Sequence, residues 1–438
     1  MKKKRIAFIS EHASPLATLG GVDAGGQNVY VAELAKHLVK LNYIVDIFTR
    51  WEDPSTPGIV NWMKDIRVIH VKAGPIKYVQ KEDIMPYMVE FRENMIRFIR
   101  MEAIHYDLVH ANFWMSGLVA MELKWLMNIP FTITFHALGH VRRIHQKEQD
   151  KFPPERVTIE EQTVKIADHI VAECPQDRED LINYYRADPQ KITIIPCGFS
   201  PTEFYPLSMT AARKALGLGI DEFVILQLGR MVPRKGVDNV ITGVSKLKDF
   251  ADKVRLVIVG GESDVPDPVR CPEIGRLQEI ARNAGVCDRV LFTGRKDRNL
   301  LKYYYSAANI FVTTPWYEPF GITPLEAMAC GTPVIGSSVG GIKYTVDHGK
   351  TGFLVPPDNP ESLAGRIAEL IKDKCLLQAM KKNAVKRVHT FFTWQAVAEM
   401  VSAMYEKLIV TRFTEVLKMT SQRSRSQEAH SVPSVAMK

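Results

Sequence analysis

Two rhythms alternate along the chain. Short β-rich apolar runs, such as RIAFIS (5–10) and IVDIFTR (44–50), are separated by segments whose apolar residues recur three and four apart. Between those two runs, QNVYVAELAKHLVKLNY carries Val31, Leu34, Ala35 and Leu38 at helical spacing. IRVIHV, DLVHA, FTITFH, HIVAE and ITIIP continue the strand series. Such alternation predicts a mostly parallel sheet with helices on its faces. PCGFSPTEFYPLS (196–208) interrupts the pattern with prolines and a glycine and reads as a linker. The rhythm then restarts in FVILQLGR (223–230), VRLVIVGG (254–261), RVLFTGR (289–295), NIFVTTP (309–315), TPVIGSS (332–338) and TGFLVPP (351–357). The restart predicts two doubly wound α/β domains, and 438 residues is long for a single core. Ligands of such folds lie beyond the C-terminal ends of the strands, here in a cleft between the domains. Residues 362–410 carry helical patterns, and the polar, Ser-rich stretch 418–438 reads as disordered.

Composition narrows the function classes. With 46% hydrophobic and 24% charged residues, the chain has the balance of a folded soluble protein. No apolar run approaches the length of a membrane span, and MKKKRIAFIS runs into a strand without a signal-peptide pattern. The six cysteines are scattered and form no C-x-x-C pair, which fits a reducing, cytoplasmic setting and argues against structural zinc. A net charge of +8 favours anionic ligands, including phosphorylated substrates, and is compatible with weak peripheral contact with a membrane surface. No basic motif interleaved with aromatics points to nucleic acid.

Candidate chemistry sits at predicted strand ends. The loop LGGVDAGGQNVY (19–30) places Gly25 and Gly26 before a helix, where backbone N–H groups can meet an anion. Its glycine spacing is not the dinucleotide fingerprint, and Asp46 lies within the second strand rather than at its end. In LGRMVPRKG (228–236), Arg230 and Lys235 flank a short loop and together suit a diphosphate, though a solvated basic turn has the same composition. YEPFGITPLEAMACGTPV (317–334) carries Glu318 and Glu326 on either side of a turn. Thr323, Pro324 and Glu326 read as a helix start, with Thr323 as N-cap and Glu326 completing a capping box. Glu318 has no such local role; beside Phe320 and Gly321, it suits the hydroxyls of a sugar or ribose. His136 ends FTITFH, either as a core histidine or as a donor to a sugar hydroxyl or phosphate.

Taken in order, GGVDAGGQNVYVAELAKHL, TFHALGH, IIPCGFSPTEF, LGRMVPRKG and WYEPFGITPLEAMACGTPVIGSSVGGIKYTVDHGKTGFLVPP resemble family 4 of the retaining glycosyltransferases. Within it, the chain is similar to sucrose-phosphate-synthase-like enzymes and to the inositol-phosphate N-acetylglucosaminyltransferase. The resemblance implies a GT-B arrangement of two Rossmann-like domains facing across a cleft. It implies an acceptor-binding domain over 1–205, a nucleotide-sugar domain over 206–385, returning helices over 386–412 and a flexible tail over 413–438.

The resemblance also implies roles. Glu318 and Glu326 match the family's E-x7-E pair, with Glu318 on the donor sugar together with Phe320 and Gly321, and Glu326 on the ribose. Arg230 and Lys235 form the diphosphate clamp, Gly25 and Gly26 line the facing phosphate wall, His136 approaches the transferred sugar, and Arg295 and Lys296 meet the base. The donor is a nucleotide-diphosphate sugar, UDP- or ADP-glucose, and no metal or other cofactor is required. Transfer proceeds with retention, the leaving diphosphate taking the acceptor proton. For the acceptor wall the implied residues are Lys81, Phe113, Arg142 and Arg156, with Lys77, Arg143 and Lys147 as further cations. Phe113 and Ala137 replace hydroxyl-bearing residues of the inositol-phosphate enzyme, and HALG is nearer the sucrose-phosphate synthase pattern, so fructose 6-phosphate is the expected acceptor. Inositol phosphate, lipid or glycan acceptors are alternatives. A nicotinamide oxidoreductase would need the missing glycine fingerprint, and a non-catalytic sugar-binding protein would not need Glu318 beside Arg230 and Lys235.

Overall fold

The structure, a computed structural model, describes residues 3–17 and 25–410. Gly20 and Gly21 of the first glycine loop and the tail 413–438 lie outside the described residues.

The N-terminal sheet contains β1 (Lys4–Ile9), β2 (Tyr43–Arg50), β3 (Ile59–Met63), β4 (Ile66–Val71), β5 (Leu108–Asn112), β6 (Phe131–Thr134), β7 (His169–Ala172) and β8 (Ile192–Ile194). Its order is β3-β4-β2-β1-β5-β6-β7-β8. The central strands are buried on both faces, which is why they read as continuous apolar runs. Every pairing is parallel except β3 with β4. The sequence pattern missed β3: its residues alternate between exposed and half-buried at a sheet edge, so no apolar run marks it.

The second sheet holds β9 (Phe223–Leu228), β10 (Val254–Val259), β11 (Val290–Phe292), β12 (Ile310–Thr313), β13 (Val334–Ser337) and β14 (Gly352–Val355), in the order β11-β10-β9-β12-β13-β14 and all parallel. Both halves are therefore doubly wound, as the restart of the pattern predicts.

Asp46 has a structural task rather than a ribose. Inside β2 it accepts hydrogen bonds from Arg67 at 2.8 Å, Tyr106 at 2.7 Å and Arg5 at 3.0 Å. Burial alone would raise its pKa, but these donors hold it below the ordinary value.

The chain crosses between domains twice, at adjacent points. The helix Lys374–Phe391 runs past position 386, and the return to the N-terminal domain begins only at Phe392 and Thr393. There Phe199 N–H donates to Phe392 O at 2.8 Å, and Trp394 N–H donates back to Phe199 O at 3.2 Å. The last helix, 394–410, buries Trp394, Val401 and Tyr405 in a core shared with β1, β2 and the helix Gly26–Lys40. Tyr43 Oη donates to Glu406 at 2.9 Å, fastening that helix to the N-terminal sheet. Among the described residues no helix is long and apolar enough to cross a membrane.

Candidate active site

A cavity of about 320 Å³ opens between the domains at the C-terminal ends of both sheets. On the N-terminal side, adjacent strand ends deliver His136 and Glu173 to it, with Asn112 buried behind them. Asn112 ends β5, His136 follows β6 and Glu173 follows β7. The His136 ring lies 3.1 Å from Asn112 Oδ1 through Nε2 and 3.1 Å from Glu173 Oε1 through Nδ1. Cys197, just beyond β8, donates to the same Glu173 oxygen at 3.1 Å. Phe113 and His136 both hold positive φ, 85° and 57° respectively, a region side-chain-bearing residues seldom adopt and one found at functional sites. Sequence reasoning found His136 but not Asn112 or Glu173. Their signal was available: each stands at or one residue beyond a strand end.

The C-terminal wall is built from loops that brace one another. Arg230 follows β9, and Pro233–Lys235 forms one short turn. Gly236 then holds φ 63°, and a Cβ there would lie 2.0 Å from Thr314 O, so only glycine lets this turn close on the end of β12. Trp316 N–H donates to Arg234 O at 3.0 Å, joining the basic turn to the Glu318 loop. From behind, Gly340 presses on the same loop, where a Cβ would lie 1.8 Å from Glu318 O. That support was missed in the sequence, although the Gly340-Gly341 pair after a strand is its visible signal.

The two glutamates differ sharply. Lys235 Nζ donates to Glu318 Oε2, and Arg234 Nη1 stands 3.9 Å from that oxygen. Burial would raise the Glu318 pKa, yet Lys235, Arg234 and Arg230 hold it below the usual carboxylate range. Burial pushes the Lys235 ammonium down to about 8, against the pull of Glu318 and with help from Arg234 and Arg230. Glu326 is 2% exposed and accepts from Arg298 Nη1 at 2.8 Å and Tyr305 Oη at 3.0 Å. Burial outweighs both donors and raises its pKa.

The capping-box reading of this helix is corrected. The helix is Ile322–Ala329 with Gly321 as N-cap, so Thr323 lies inside its first turn and the Glu326 carboxylate is turned to Arg298 and Tyr305. Glycine at φ 88° starts the helix two residues earlier than the Thr-Pro pattern suggests.

Most of the expected site residues meet. Gly25, Gly26, Lys81, Phe113, His136, Arg142, Arg230, Lys235, Arg295, Lys296, Glu318, Phe320, Gly321 and Glu326 all line the cavity. Gly25 comes close to Arg230 across the cleft, since a Cβ on it would lie 3.9 Å from Arg230 Nε. Arg295 and Lys296 are tied to Asp264, at 3.2 Å to its carboxylate and 2.7 Å to its carbonyl. Arg142 is held by Asp150 at 2.6 Å, and Lys81 pairs with Glu82 at 3.1 Å. Arg156 does not line the cavity. It pairs with Glu160 at 2.7 Å and lies under the rings of Phe113 and Phe152, at 5.0 and 4.6 Å. Its Nη1 is buried without a hydrogen-bond partner. Lys77, Arg143 and Lys147 do not line the cavity either.

Comparison with known proteins agrees with this geometry. The profile described as Glycosyltransferase Family 4 matches residues 24–203, and that described as Glycosyl transferases group 1 matches 208–387. The D-inositol 3-phosphate glycosyltransferase of Corynebacterium jeikeium is 35% identical over 410 residues, covering 92% of this chain and 97% of that protein. The chain belongs to the GT-B glycosyltransferases. A second relative, the D-inositol 3-phosphate glycosyltransferase of Kineococcus radiotolerans, is 34% identical over 94% of this chain and 97% of its own. Among solved structures, a sucrose-phosphate synthase from Thermosynechococcus elongatus superposes with a TM-score of 0.86 at 34% identity, covering 93% of this chain and all of that one. Anabaena Alr3699/HepE in complex with UDP-glucose shares the fold, at a TM-score of 0.72 and 19% identity over 92% of this chain and 99% of that one. The protein is thus a retaining GT-B glycosyltransferase that takes its sugar from a nucleotide-diphosphate donor, and the oxidoreductase alternative falls away.

Proposed function

We propose that the enzyme transfers its glycosyl group to a hydroxyl of a small phosphorylated polyol, with inositol phosphate as the leading acceptor. The observation that carries this reading is the pair of cations, Lys81 and Arg142, that the N-terminal domain brings to the wall of the cleft. Two cations on one wall suit a phosphate. The similarity to D-inositol 3-phosphate glycosyltransferases over more than nine-tenths of the chain favours inositol phosphate over the fructose 6-phosphate expected from HALG. Hexose phosphate stays as a second reading, because Phe113 and Ala137 offer no side-chain hydroxyl to an inositol phosphate and the sucrose-phosphate synthase is equally identical in sequence.

In this reading the donor lies along the C-terminal wall. Glu326 accepts ribose hydroxyls, and Arg295 and Lys296 border the base. Arg230, Lys235 and the N–H groups at the start of the helix Ile322–Ala329 face the diphosphate, with Gly25 and Gly26 opposite. Glu318 accepts sugar hydroxyls and His136 closes the sugar from the other domain. The acceptor oxygen bonds to the anomeric carbon on the face from which the diphosphate departs. The bond to the diphosphate oxygen breaks through an oxocarbenium-like state, and the acceptor's hydroxyl proton passes to that leaving oxygen. The protein contributes position and counter-charge rather than a covalent nucleophile.

A matrix of UDP-, ADP- and GDP-sugars against D-inositol 3-phosphate, fructose 6-phosphate and their unphosphorylated forms tests this reading. Nucleotide release and product mass should both rise with a phosphorylated acceptor. Release no faster than hydrolysis with every phosphorylated acceptor removes it.

A further inference from the structure

Arg234 stands one residue before the clamp lysine, and beyond its charge near Glu318 the donor-site assignment gives it no contact with the donor. Its guanidinium lines the cleft and lies 5.3 Å over the ring of Tyr317. Nη1 is buried yet has no hydrogen-bond partner, and Glu318 Oε2, at 3.9 Å, is too distant to serve as one. Glu318 is already engaged by Lys235. A buried, cleft-lining donor in this condition points to an acceptor supplied by a ligand.

Tyr317 shows where that ligand group lies. Gln146 of the N-terminal domain hydrogen-bonds Tyr317 Oη, and His145 stacks on its ring with centroids 4.9 Å apart and planes 18° apart. Gln146 follows Arg142 by four residues in the helix Gly139–Gln146, so the two share one face of it. Arg142 and Lys81 enter the cleft from that same domain. The Tyr317 contact therefore carries Arg234, from the opposite domain, to the helix face on which a phosphate-binding arginine stands.

We propose that Arg234 is a specificity-determining residue that binds the acceptor's phosphate from the C-terminal domain, opposite Arg142 and Lys81, so that a phosphorylated acceptor bridges the two domains. The inference rests on the phosphorylated-acceptor reading above. A planar guanidinium fork matches phosphate oxygens, and fixing that group from both walls sets the distance from phosphate to attacking hydroxyl. An unphosphorylated polyol forgoes both the charge and the bridge, so discrimination between the two forms arises at domain closure as well as at the N-terminal wall.

Steady-state kinetics of the full chain, Arg234→Gln and Arg234→Lys decide the matter. The acceptor probes are D-inositol 3-phosphate and fructose 6-phosphate, each against its unphosphorylated form, with the nucleotide sugar the unaltered enzyme uses fastest. Arg234→Gln should raise KM for the phosphorylated acceptor about tenfold, or about 1.4 kcal/mol. KM for the free polyol and for the nucleotide sugar should shift by less than about twofold, and Arg234→Lys should recover part of the loss. Equal shifts for phosphorylated and free acceptors, a shift in the nucleotide-sugar KM, or no shift at all overturns the assignment. If the unaltered enzyme itself shows no preference for phosphorylated acceptors, the acceptor reading fails and takes Arg234 with it. If that preference stands and Arg234→Gln preserves it, only the Arg234 assignment fails.

Discussion

The two walls of the cleft handle charge in opposite ways. On the C-terminal wall, Glu318 is matched at once by Lys235 and flanked by Arg234 and Arg230, so the carboxylate remains ionised although it is buried. The C-terminal wall leaves only donors unmet, at Arg234 Nη1 and Arg298 Nη2, whereas the N-terminal wall leaves a carboxylate without a counter-charge. Asp177, at the start of the helix Pro175–Tyr185, accepts the Glu173 N–H at 2.9 Å, but burial and then the neighbouring Glu173 charge push its pKa up to about 8. Arg156, on the same side, keeps one buried N–H unmet. In the proposed reading the C-terminal wall is the one that grips the nucleotide-sugar donor. In that reading the N-terminal wall faces the acceptor, the substrate on which specificity turns.

The strongest way to break the contrast is to remove the compensating cation. Lys235→Ala should lower kcat by about two to three orders of magnitude, as for other losses of a charge-stabilising group, and should weaken nucleotide-diphosphate binding measured by calorimetry. Unchanged values remove Lys235 from the clamp. Its titration gives a finer test. With a folded pKa lowered to about 8 from 10.5, the ammonium is present in the free enzyme below pH 8 and lost above it. The donor kcat/KM should therefore fall on the alkaline side of pH 8. Lys235→Arg should abolish that limb, since arginine stays charged throughout. The stability sign is opposite: between pH 8 and 10.5 the unfolded chain binds the proton that the native chain lacks, so this group's contribution to stability improves as pH rises through that window.

The glutamates sharpen the comparison within one wall. Glu318→Gln should cost about 10- to 100-fold in kcat, the worth of charged hydrogen bonds to sugar hydroxyls. It should also shift the alkaline limb below pH 8, because Lys235 loses the charge that opposes its deprotonation. Glu326→Gln should act mainly on the nucleotide-sugar KM, because the proposed reading sets Glu326 against the ribose rather than the reacting sugar. It should also lower the Tm, because Arg298 then retains only Glu203 as a carboxylate partner, at 2.7 Å. A common fall in kcat for both variants, with KM unmoved, would merge roles that the two environments separate.

The walls were also unequally legible in the sequence. Strand runs, the linker and the donor-wall cations stand in short contiguous segments, and the family resemblance those segments carry brought Arg230, Lys235 and Glu318 to one cleft. The start of the helix at Ile322 was misread because Gly321 can adopt a φ that the Thr-Pro pattern does not anticipate. On the acceptor wall, Asn112, His136, Glu173 and Cys197 come from separate strand ends, and nothing local joins them before the sheet order is known. Arg156 was expected on the acceptor wall, and its burial beneath Phe113 and Phe152, away from the cavity lining, is a tertiary fact. Arg234 shows the same limit at shorter range. It adjoins a recognised lysine, but its task depends on Tyr317 and Gln146, both remote in the chain.

The smallest effect probes the uncompensated carboxylate directly. Asp177 lies on the second interdomain cavity, bordered by His145, Tyr317 and Gly340, and forms no ion pair among the described residues. Its folded pKa is raised to about 8 from 3.8, so the native chain binds a proton that the unfolded chain releases between those values. Its contribution to stability is therefore fully present below pH 3.8 and is lost as pH rises through 8. Asp177→Asn keeps an oxygen for the Glu173 N–H and removes the charge, so it should stabilise the protein at pH 8 by on the order of 1 kcal/mol. At pH 5 the gain should be smaller, and it should vanish only below pH 3.8, where the carboxyl is protonated in the folded and the unfolded chain alike. Thermal unfolding of both proteins at the two pH values reads the difference. A gain independent of pH, or a loss at pH 8, would mean that Asp177 is compensated after all and that the two walls do not differ in the way their charges suggest.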